Sequence, residues 1–456
     1  MKALESIPVA SGSLPLVGHL PHLMRDPYTF VKSLAEHDGL VQIRIATKPI
    51  VLVCSPDLTR EVLLDDRTFD KGGPIIDRIR EFLGNGLATC AHKDHRRQRR
   101  AIQPVFRSER FAGYIDVMNE QIAAVTETWA DGQILDVQHE MEVITSRVLT
   151  NAMFSNAISS DRRARIIELI EFVMAAATRR TITPPALLRL PTPANRRFDE
   201  INRQLRTLLE EIVVERRVSG NDYGDFLSAL LTAEAAEGES AGCENRGLTN
   251  AEVVDQLVTI FIAGTETVAG SLSWALYVVA GRPDLQDRLH DEVDSVPADS
   301  HPGHERLREL KLTSGIITET LRLHSPAWIF ARVVTVDTEL GGHHLPAGTS
   351  VAYCPHLIHR RSDTYDDADR FDPDRWIDGA KSDRRNLIMF GAGARKCIGD
   401  VFGQTEAMLA FAGIFARWQV ELVPDAPLVL KPALALSPTG LRLRVRARTA
   451  LGTRAS

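Results

Sequence analysis

The run Phe390-Gly-Ala-Gly393-Ala-Arg395-Lys-Cys397-Ile-Gly399 is the most informative part of this 456-residue chain. Its glycines allow tight turns and let a backbone approach a flat ligand closely. Backbone N–H groups in such a loop can point at the sulfur and stabilise a thiolate, and a bound metal lowers the pKa of the thiol further. A lone cysteine after a turn is usually a buried structural residue. The full spacing F-x-x-G-x-R-x-C-x-G instead favours a metal-binding thiolate at Cys397.

The composition is that of an ordinary globular protein. Apolar residues make up 44% of the chain and charged residues 25%, which excludes a disordered, collagen-like or low-complexity protein. Fifty-four basic and sixty acidic residues give a net charge of −6, so the overall charge does not indicate binding to nucleic acid or to an anionic membrane. The five cysteines are too scattered for a disulfide framework, and the first residues show no signal-peptide pattern. We therefore expect a cytoplasmic protein without a membrane anchor.

The apolar pattern predicts a mainly α-helical protein with small β-sheets. Residues 41–45 and 50–53 alternate between apolar and polar or are apolar throughout, and Lys48-Pro49 lies between them, which predicts a β-hairpin. Helical patterns then dominate until about residue 340. Residues 181–195 contain four prolines and several leucines, which predicts an apolar loop between two helices. Since no repeat or long linker interrupts the chain, we expect residues 1–456 to form one domain.

Residues 257–281 are long and apolar enough to cross a membrane and carry a single charge, Glu266. However, Thr249-Asn-Ala-Glu252 matches a capping box, which marks a helix start just before this segment. Several hydroxyl side chains lie in its middle, where lipid would penalise them, and no basic cluster flanks either end. We therefore predict a long helix through the centre of a large protein, covered on nearly all sides.

Three further patterns suggest chemistry or ion pairing. In the run Ala263-Gly-Thr-Glu-Thr267, a threonine hydroxyl can bond back to a helix carbonyl and loosen the helix, and the adjacent acid could deliver protons. Glu319 and Arg322 are three residues apart and can pair on one helix face, although an isolated pattern of this kind is more often a surface ion pair. His95 and Arg99 share a helix face within the basic run 92–100, which could otherwise be a solvated face or a nucleic-acid patch.

Together these motifs resemble the cytochrome P450 superfamily of haem-thiolate monooxygenases over about residues 14–446. The resemblance implies a P450 fold, with haem b (iron protoporphyrin IX) between the long central helix and the loop that carries the cysteine. It implies that Cys397 is the axial ligand of the iron, where a thiolate favours O–O cleavage. Phe390 would pack near the thiolate, and Glu266 and Thr267 would relay protons to bound oxygen.

The resemblance also assigns residues that hold the haem and the surrounding structure. The residues expected to contact the haem propionates are His95, Arg99, Arg332 and Arg395. The run 371–376, Phe-Asp-Pro-Asp-Arg-Trp, supplies Arg375 as a second arginine to the carboxylate of Glu319, beside Arg322. These three residues are expected to serve structure and haem loading, because removing one partner would leave a buried charge uncompensated.

By the same resemblance, four segments should line an apolar substrate pocket. The expected pocket residues are Ile75, Ile76, Phe82, Leu187, Phe261, Ala263, Trp328 and Phe330. An apolar pocket favours a substrate held by shape and burial. The runs 69–74 and 95–106 look like those of actinobacterial family members that oxidise cyclic sesquiterpenes. A cyclic terpene of secondary metabolism is therefore the first expected substrate, a macrolide or other polyketide the second, and a steroid or fatty acid the third.

Nothing in these residues resembles a flavin or iron–sulfur domain, so the resemblance implies electrons from a ferredoxin and an NAD(P)H-dependent ferredoxin reductase. The basic side of residues 92–100 would face the acidic ferredoxin. We expect a monomer that inserts oxygen from O₂. Two alternatives are a haem isomerase or dehydratase, which would have no need of proton delivery by Glu266 and Thr267, and a haem sensor or carrier, which would leave the apolar pocket unexplained.

Overall fold

The computed structural model describes residues 4–46, 48–183, 185–238, 247–295, 306–377, 384–424, 428–430 and 435–448. Most of these residues are helical, which confirms the predicted class. The helices are α1 (Leu20–Arg25), α2 (Pro27–Ser33), α3 (Pro56–Leu64), α4 (Gly73–Leu83), α5 (His92–Ile102), α6 (Ser108–Thr126), α7 (Val137–Phe154), α8 (Ser160–Ile182), α9 (Pro185–Leu188), α10 (Pro193–Ser219), α11 (Phe226–Gly238), α12 (Asn250–Ala280), α13 (Pro283–Asp294), α14 (Lys311–Leu323), α15 (Pro355–His359) and α16 (Asp400–Arg417).

The strands are short and form small sheets. They are β1 (Leu40–Ile45), β2 (Lys48–Val53), β3 (Phe69–Asp70), β4 (Ile134–Asp136), β5 (Phe330–Val334), β6 (Thr338–Leu340), β7 (His343–Leu345), β8 (Ser350–Tyr353), β9 (Trp418–Leu422), β10 (Val429–Leu430), β11 (Pro438–Thr439) and β12 (Arg442–Ala447). One sheet has the order β1-β2-β8-β5-β3, another the order β4-β12-β9, and β6-β7 and β10-β11 form pairs. The predicted hairpin is confirmed, because β1 and β2 pair antiparallel with Ile43 opposite Ile50.

Helix α12 runs through the main hydrophobic core and packs against α7, α10 and α16. It begins with the predicted capping box, in which the Thr249 hydroxyl accepts from the Glu252 N–H and the Glu252 carboxylate accepts from the Thr249 N–H. By length and composition the helix could cross a membrane, but 67% of its most apolar stretch is buried inside the protein. Its apolar surface is therefore covered by its neighbours, as expected of a core helix.

The proline-rich segment predicted as a loop contains a short helix. Helix α8 ends at Ile182, α9 occupies four residues, and α10 begins at Pro193. The Asn195 side chain donates to the carbonyls of Leu187 and Leu190 at 3.0 and 2.8 Å. These bonds fasten the segment to the start of α10.

Glu319 and Arg322 form a fully buried ion pair on α14, with 0% of either side chain exposed. The guanidinium donates to both carboxylate oxygens, from Nε at 2.8 Å and from Nη2 at 2.7 Å. It also donates to the carbonyls of His359 and Ala368 at 2.8 and 2.6 Å. The pair therefore joins α14 to α15 and to the segment that follows α15.

The carboxylate of Glu319 has further partners in the run 371–376. It accepts from the indole N–H of Trp376 at 2.8 Å and from the backbone N–H of Asp372 at 3.0 Å. Arg375 Nε lies 3.5 Å from Oε1 of Glu319. The structure thus brings the three predicted cluster residues together in one buried network, in which every partner offsets the desolvation of the others.

Replacing Glu319 with glutamine should lower the free energy of unfolding by about 3–5 kcal/mol, because Arg322 would stay buried without a counter-charge. Urea denaturation of the haem-bound protein, followed by circular dichroism, measures the change. Glu168→Gln is the control, because it breaks an exposed pair with Arg165 on one helix face and should cost less than about 1 kcal/mol. Equal stability of the two variants would contradict the structural role of Glu319.

Candidate active site

A cavity of about 330 Å³ lies between α12 and the loop at residues 390–399. Most of its wall is apolar, while cationic side chains gather at one end. The apolar wall includes Leu87, Ala88, Ile102, Leu149, Ile260, Ala263, Ala327 and Phe330, and the cationic end includes Lys71, His95, Arg99, Arg332 and Arg395. Such a cavity suits a largely apolar, flat group that carries acidic substituents on one edge.

The loop that carries Cys397 is a tight turn between the segment after α15 and helix α16. The backbone N–H of Cys397 donates to the carbonyl of Phe390 at 2.8 Å, which closes the turn. Gly393 has a φ of +66°, and a Cβ at this position would lie 2.6 Å from the backbone oxygen of Leu63. Only glycine fits this position, because both the left-handed backbone and the close approach to α3 exclude a side chain.

The thiol of Cys397 is open to the cavity. Burial in the surrounding protein raises its pKa above the ordinary value, although a hydrogen bond from the Gly399 backbone N–H lowers it in part. The protein alone therefore favours the neutral thiol, and a metal cation on the open side would favour the thiolate. The donor set fits a metal-bound cysteine with a backbone hydrogen bond to its sulfur.

One face of α12 forms another wall of the cavity. Ala263, Gly264 and Thr267 line it, and the Thr267 hydroxyl donates to the Ala263 carbonyl at 2.6 Å, as predicted for this motif. A Cβ on Gly264 would come within 2.7 Å of Leu149 Cδ1. The helix nevertheless continues through this point to Ala280. The Thr267 side chain is therefore held at the cavity wall by a bond to its own helix.

Glu266 precedes Thr267 but is not among the residues that line the cavity. Burial raises the pKa of its carboxyl group to about 7, an effect that the nearby Glu142 strengthens and that a hydrogen bond from the Ala435 N–H at 3.4 Å offsets in part. Burial also raises the pKa of Glu142. A carboxyl group of this kind can both bind and release a proton near neutral pH, as proton delivery requires.

The cationic end contains all four of the predicted propionate contacts and one residue that sequence reasoning missed. His95 is buried, and burial together with Arg395 and Arg99 lowers its pKa to about 4. Arg99 donates to the Lys396 carbonyl at 2.7 Å, beside Cys397. The missed residue is Lys71, whose pKa is lowered well below its usual range by burial and by nearby arginines. Lys71 lies in the run 69–74, which resembles that of terpene-oxidising proteins but gave no prediction of a haem contact.

Arg332 is 3% exposed and also lines the cationic end, where it lies over the ring of Tyr353. Arg395 lines the same end, but its guanidinium is paired with two aspartates. Its Nε lies 2.9 Å from an oxygen of Asp66, and its Nη2 lies 2.8 Å from an oxygen of Asp70. No motif in the sequence pointed to these two acids. The excess of cations nevertheless suits a cofactor with two carboxylates, such as the propionates of haem.

Two of the eight expected pocket residues, Ala263 and Phe330, line the cavity. The other six are Ile75, Ile76, Phe82, Leu187, Phe261 and Trp328, which are not part of its wall. Leu187 is 52% exposed, whereas Phe82 and Phe261 belong to the main core. The rotation of α12 about its axis explains why Phe261 is absent from the cavity wall. The α12 residues that line the cavity lie on one helix face, at positions 259, 260, 263, 264, 267, 268 and 271, and Phe261 lies on another face.

Comparison with known proteins identifies this architecture. Residues 8–444 match the cytochrome P450 family. The chain belongs to the cytochrome P450 family. The solved structure of the haem domain of cytochrome P450DA is similar, with a TM-score of 0.85, 27% sequence identity and coverage of 97% of this chain and 98% of that one. The P450 fold expected from the sequence is therefore confirmed.

Curated relatives include three Streptomyces proteins. Pentalenene oxygenase of Streptomyces avermitilis is 40% identical over 96% of this chain and 97% of its own length. Cyclooctat-9-en-7-ol 5-monooxygenase of Streptomyces melanosporofaciens is 40% identical over 92% and 90%, and cyclooctatin synthase of the same organism is 39% identical over 95% and 94%. This chain is a P450 monooxygenase, a haem enzyme that depends on redox partners and binds apolar substrates.

The raised pKa of Glu266 predicts a pH-dependent effect of Glu266→Gln on stability. The folded protein binds this proton more tightly than the unfolded chain, so the contribution of Glu266 to stability falls as the pH rises from about 4.5 to about 7. Glutamine removes this loss. The stability of the variant relative to the wild type should therefore increase by about 1–3 kcal/mol when the pH is raised from about 5 to about 8.5.

Urea denaturation at the two pH values measures this gain, with the exposed Glu168→Gln as a control that should show none. A difference between Glu266→Gln and wild type that stays the same at both pH values would contradict a carboxyl group that ionises near neutral pH.

Proposed function

We propose that this P450 inserts one oxygen atom from O₂ into a cyclic terpene of secondary metabolism, with electrons from a ferredoxin. The observation that carries this proposal is that Cys397 and Thr267 line one cavity whose remaining wall is mostly apolar. The three Streptomyces relatives, two of them named for the oxygenation of cyclic terpenes, support the substrate class. A haem sensor would need only the thiol that binds the iron. It would have no use for the hydroxyl of Thr267 or the acid of Glu266 on α12.

Within this proposal, Cys397 would bind the iron of haem b, and Phe390 would pack beside the sulfur. Thiolate-bound haem supplies the activation of O₂ by cleavage of its O–O bond. Lys71, His95, Arg99, Arg332 and Arg395 would hold the propionate edge. In the protein alone, burial and the neighbouring arginines lower the pKa of His95 to about 4, so the arginines would supply the charge and the imidazole a hydrogen bond.

Glu266 and Thr267 deliver protons to the cavity. Glu266 takes up a proton on the side of α12 that faces Glu142 and Ala435. Thr267 presents its hydroxyl at the cavity wall, held there by the Ala263 carbonyl. Glu266 would supply the proton, and the hydroxyl of Thr267 would offer a proton on the cavity side of α12, which is general acid catalysis.

The apolar wall selects the substrate by shape. Leu87, Leu149, Ile260 and Phe330 offer no charged group to a ligand, so a compact hydrocarbon gains affinity by leaving water. The basic run on α5 receives the ferredoxin: Arg96 and Arg100 are exposed, whereas Arg97 pairs with Glu252. We infer further that residues 1–456 act as one catalytic domain and that the protein is a cytoplasmic monomer.

The substrate class is tested by adding cyclic terpene hydrocarbons, pentalenene among them, to the purified ferric protein. Binding beside the haem should change its absorbance spectrum in a saturable way, followed by product formation with ferredoxin, reductase and NAD(P)H. A protein with the carbon monoxide spectrum of thiolate-bound haem but no response to terpenes would overturn the terpene assignment and favour a polyketide or steroid. A Cys397→Ser variant that keeps the thiolate spectrum would contradict the assignment of the iron ligand.

Thr267→Ala should separate electron use from oxygenation, because the relay loses its hydroxyl at the cavity wall. Product formed per NAD(P)H consumed should fall by at least about tenfold, with a matching rise in hydrogen peroxide. Thr267→Ser keeps the hydroxyl and is the matched control, which should retain most of the coupling. If Thr267→Ala couples as well as Thr267→Ser does, the relay role of Thr267 is wrong.

A further inference from the structure

The guanidinium of Arg395 is fixed by protein groups on three sides. Its Nε lies 2.9 Å from Asp66 Oδ2, its Nη2 lies 2.8 Å from Asp70 Oδ1, and its Nη1 donates to the Cys90 carbonyl at 2.8 Å. Only 2% of the side chain is exposed. Arg395 stands two residues before Cys397, so whatever holds this arginine also holds the loop that carries the thiol.

The two aspartates are themselves held in place by α5. Asp70 accepts from the backbone N–H of His92 at 2.8 Å, and Asp66 Oδ2 lies 3.1 Å from Nδ1 of His92. Asp70 also accepts from the Lys71 N–H at 2.6 Å. Arg395 is therefore bound to two acids that both contact His92, the first residue of α5. Helix α5 in turn carries His95 and Arg99.

The charges of Asp66 and Asp70 indicate that Arg395 has a role within the protein itself. Two carboxylates face one guanidinium, so the positive charge of Arg395 is compensated before any cofactor binds. Although burial alone would raise the pKa of Asp66, hydrogen bonds from His92 and Arg395 hold it below its ordinary value, so this acid is ionised at neutral pH. Arg99 and Arg332 remain at the same end of the cavity to balance two propionates.

The loop is fastened at other points near the same place. Gly393 packs against the backbone of Leu63 at the end of α3, and the segment from α3 to β3 contains Asp66. On the other side of Arg395, the Lys396 carbonyl accepts from Arg99. Residues 393, 395 and 396 are thus each tied to a different neighbour, and Cys397 follows immediately.

We propose that Asp66 and Asp70 are positioning residues that hold Arg395, and through it the loop, so that the sulfur of Cys397 stays on the haem iron. This inference rests on the proposed role of Cys397 as the iron ligand. It assigns a function to two acids that belong to no P450 motif found in the sequence. The two acids thereby fix the loop through Arg395, at the same end of the cavity where this arginine was predicted to contact a propionate.

The test follows loss of the thiolate in the holoenzyme. The carbon monoxide spectrum distinguishes thiolate-bound haem from haem that has lost the thiolate, and the conversion can be timed in mild urea. The double variant D66N/D70N keeps hydrogen-bond acceptors but removes both charges, and it should convert at least about tenfold faster than wild type. Asp57→Asn, an exposed acid on nearby α3, is the control and should not change the rate.

A second comparison separates positioning from general destabilisation. R395M should also accelerate the conversion, and the triple variant D66N/D70N/R395M should be no faster than R395M, because the aspartates act through the arginine. Circular dichroism in the same urea series should show that helix loss lags behind thiolate loss. If D66N/D70N folds poorly, the single variant D70N supplies the same comparison.

Each outcome supports or overturns one proposal. An unchanged conversion rate in D66N/D70N, effects that add in the triple variant, or simultaneous loss of helix and thiolate would overturn the positioning role. Absence of the thiolate spectrum from the wild-type holoenzyme would instead overturn the proposed role of Cys397. The two failures are therefore distinguishable.

Discussion

The proposed role of Cys397 as an iron ligand requires a charged sulfur inside the protein, and the rest of the site depends on this requirement. Burial raises the pKa of Cys397, and the backbone N–H of Gly399 compensates only in part. The remaining stabilisation has to come from a cation at the open side of the sulfur. Such a cation can act only if the sulfur is held in place, which explains the glycine against α3 at position 393 and the contacts of the residues that flank the cysteine.

Features encoded over a few neighbouring residues could be predicted from the sequence. The capping box of α12, the back-bonded Thr267, the Glu319–Arg322 pair and the turn before Cys397 are each set by spacings of ten residues or fewer, and each has the expected geometry. The β1–β2 hairpin was predictable because two short apolar-rich stretches are joined by a short turn. Short sequence patterns were therefore enough to predict these local contacts.

Contacts between distant segments could not be predicted in the same way. Arg395 and Asp66 are 329 residues apart, and nothing near either residue indicates the other. The residues of α12 that line the cavity are set by the rotation of the helix about its axis. Ile260 and Phe261 are neighbours in sequence and both apolar, yet only Ile260 lines the cavity. Helical steps of four and then three residues back from Thr267 lead to Ala263, which was predicted, and to Ile260, which was not.

The proximity of Glu142 to Glu266 affects how the site stores protons. Both carboxyl groups are desolvated, and a negative charge on Glu142 makes Glu266 harder to ionise. Helix α7 thereby makes the carboxyl group behind α12 harder to deprotonate, so Glu266 keeps its proton to a higher pH than burial alone would allow.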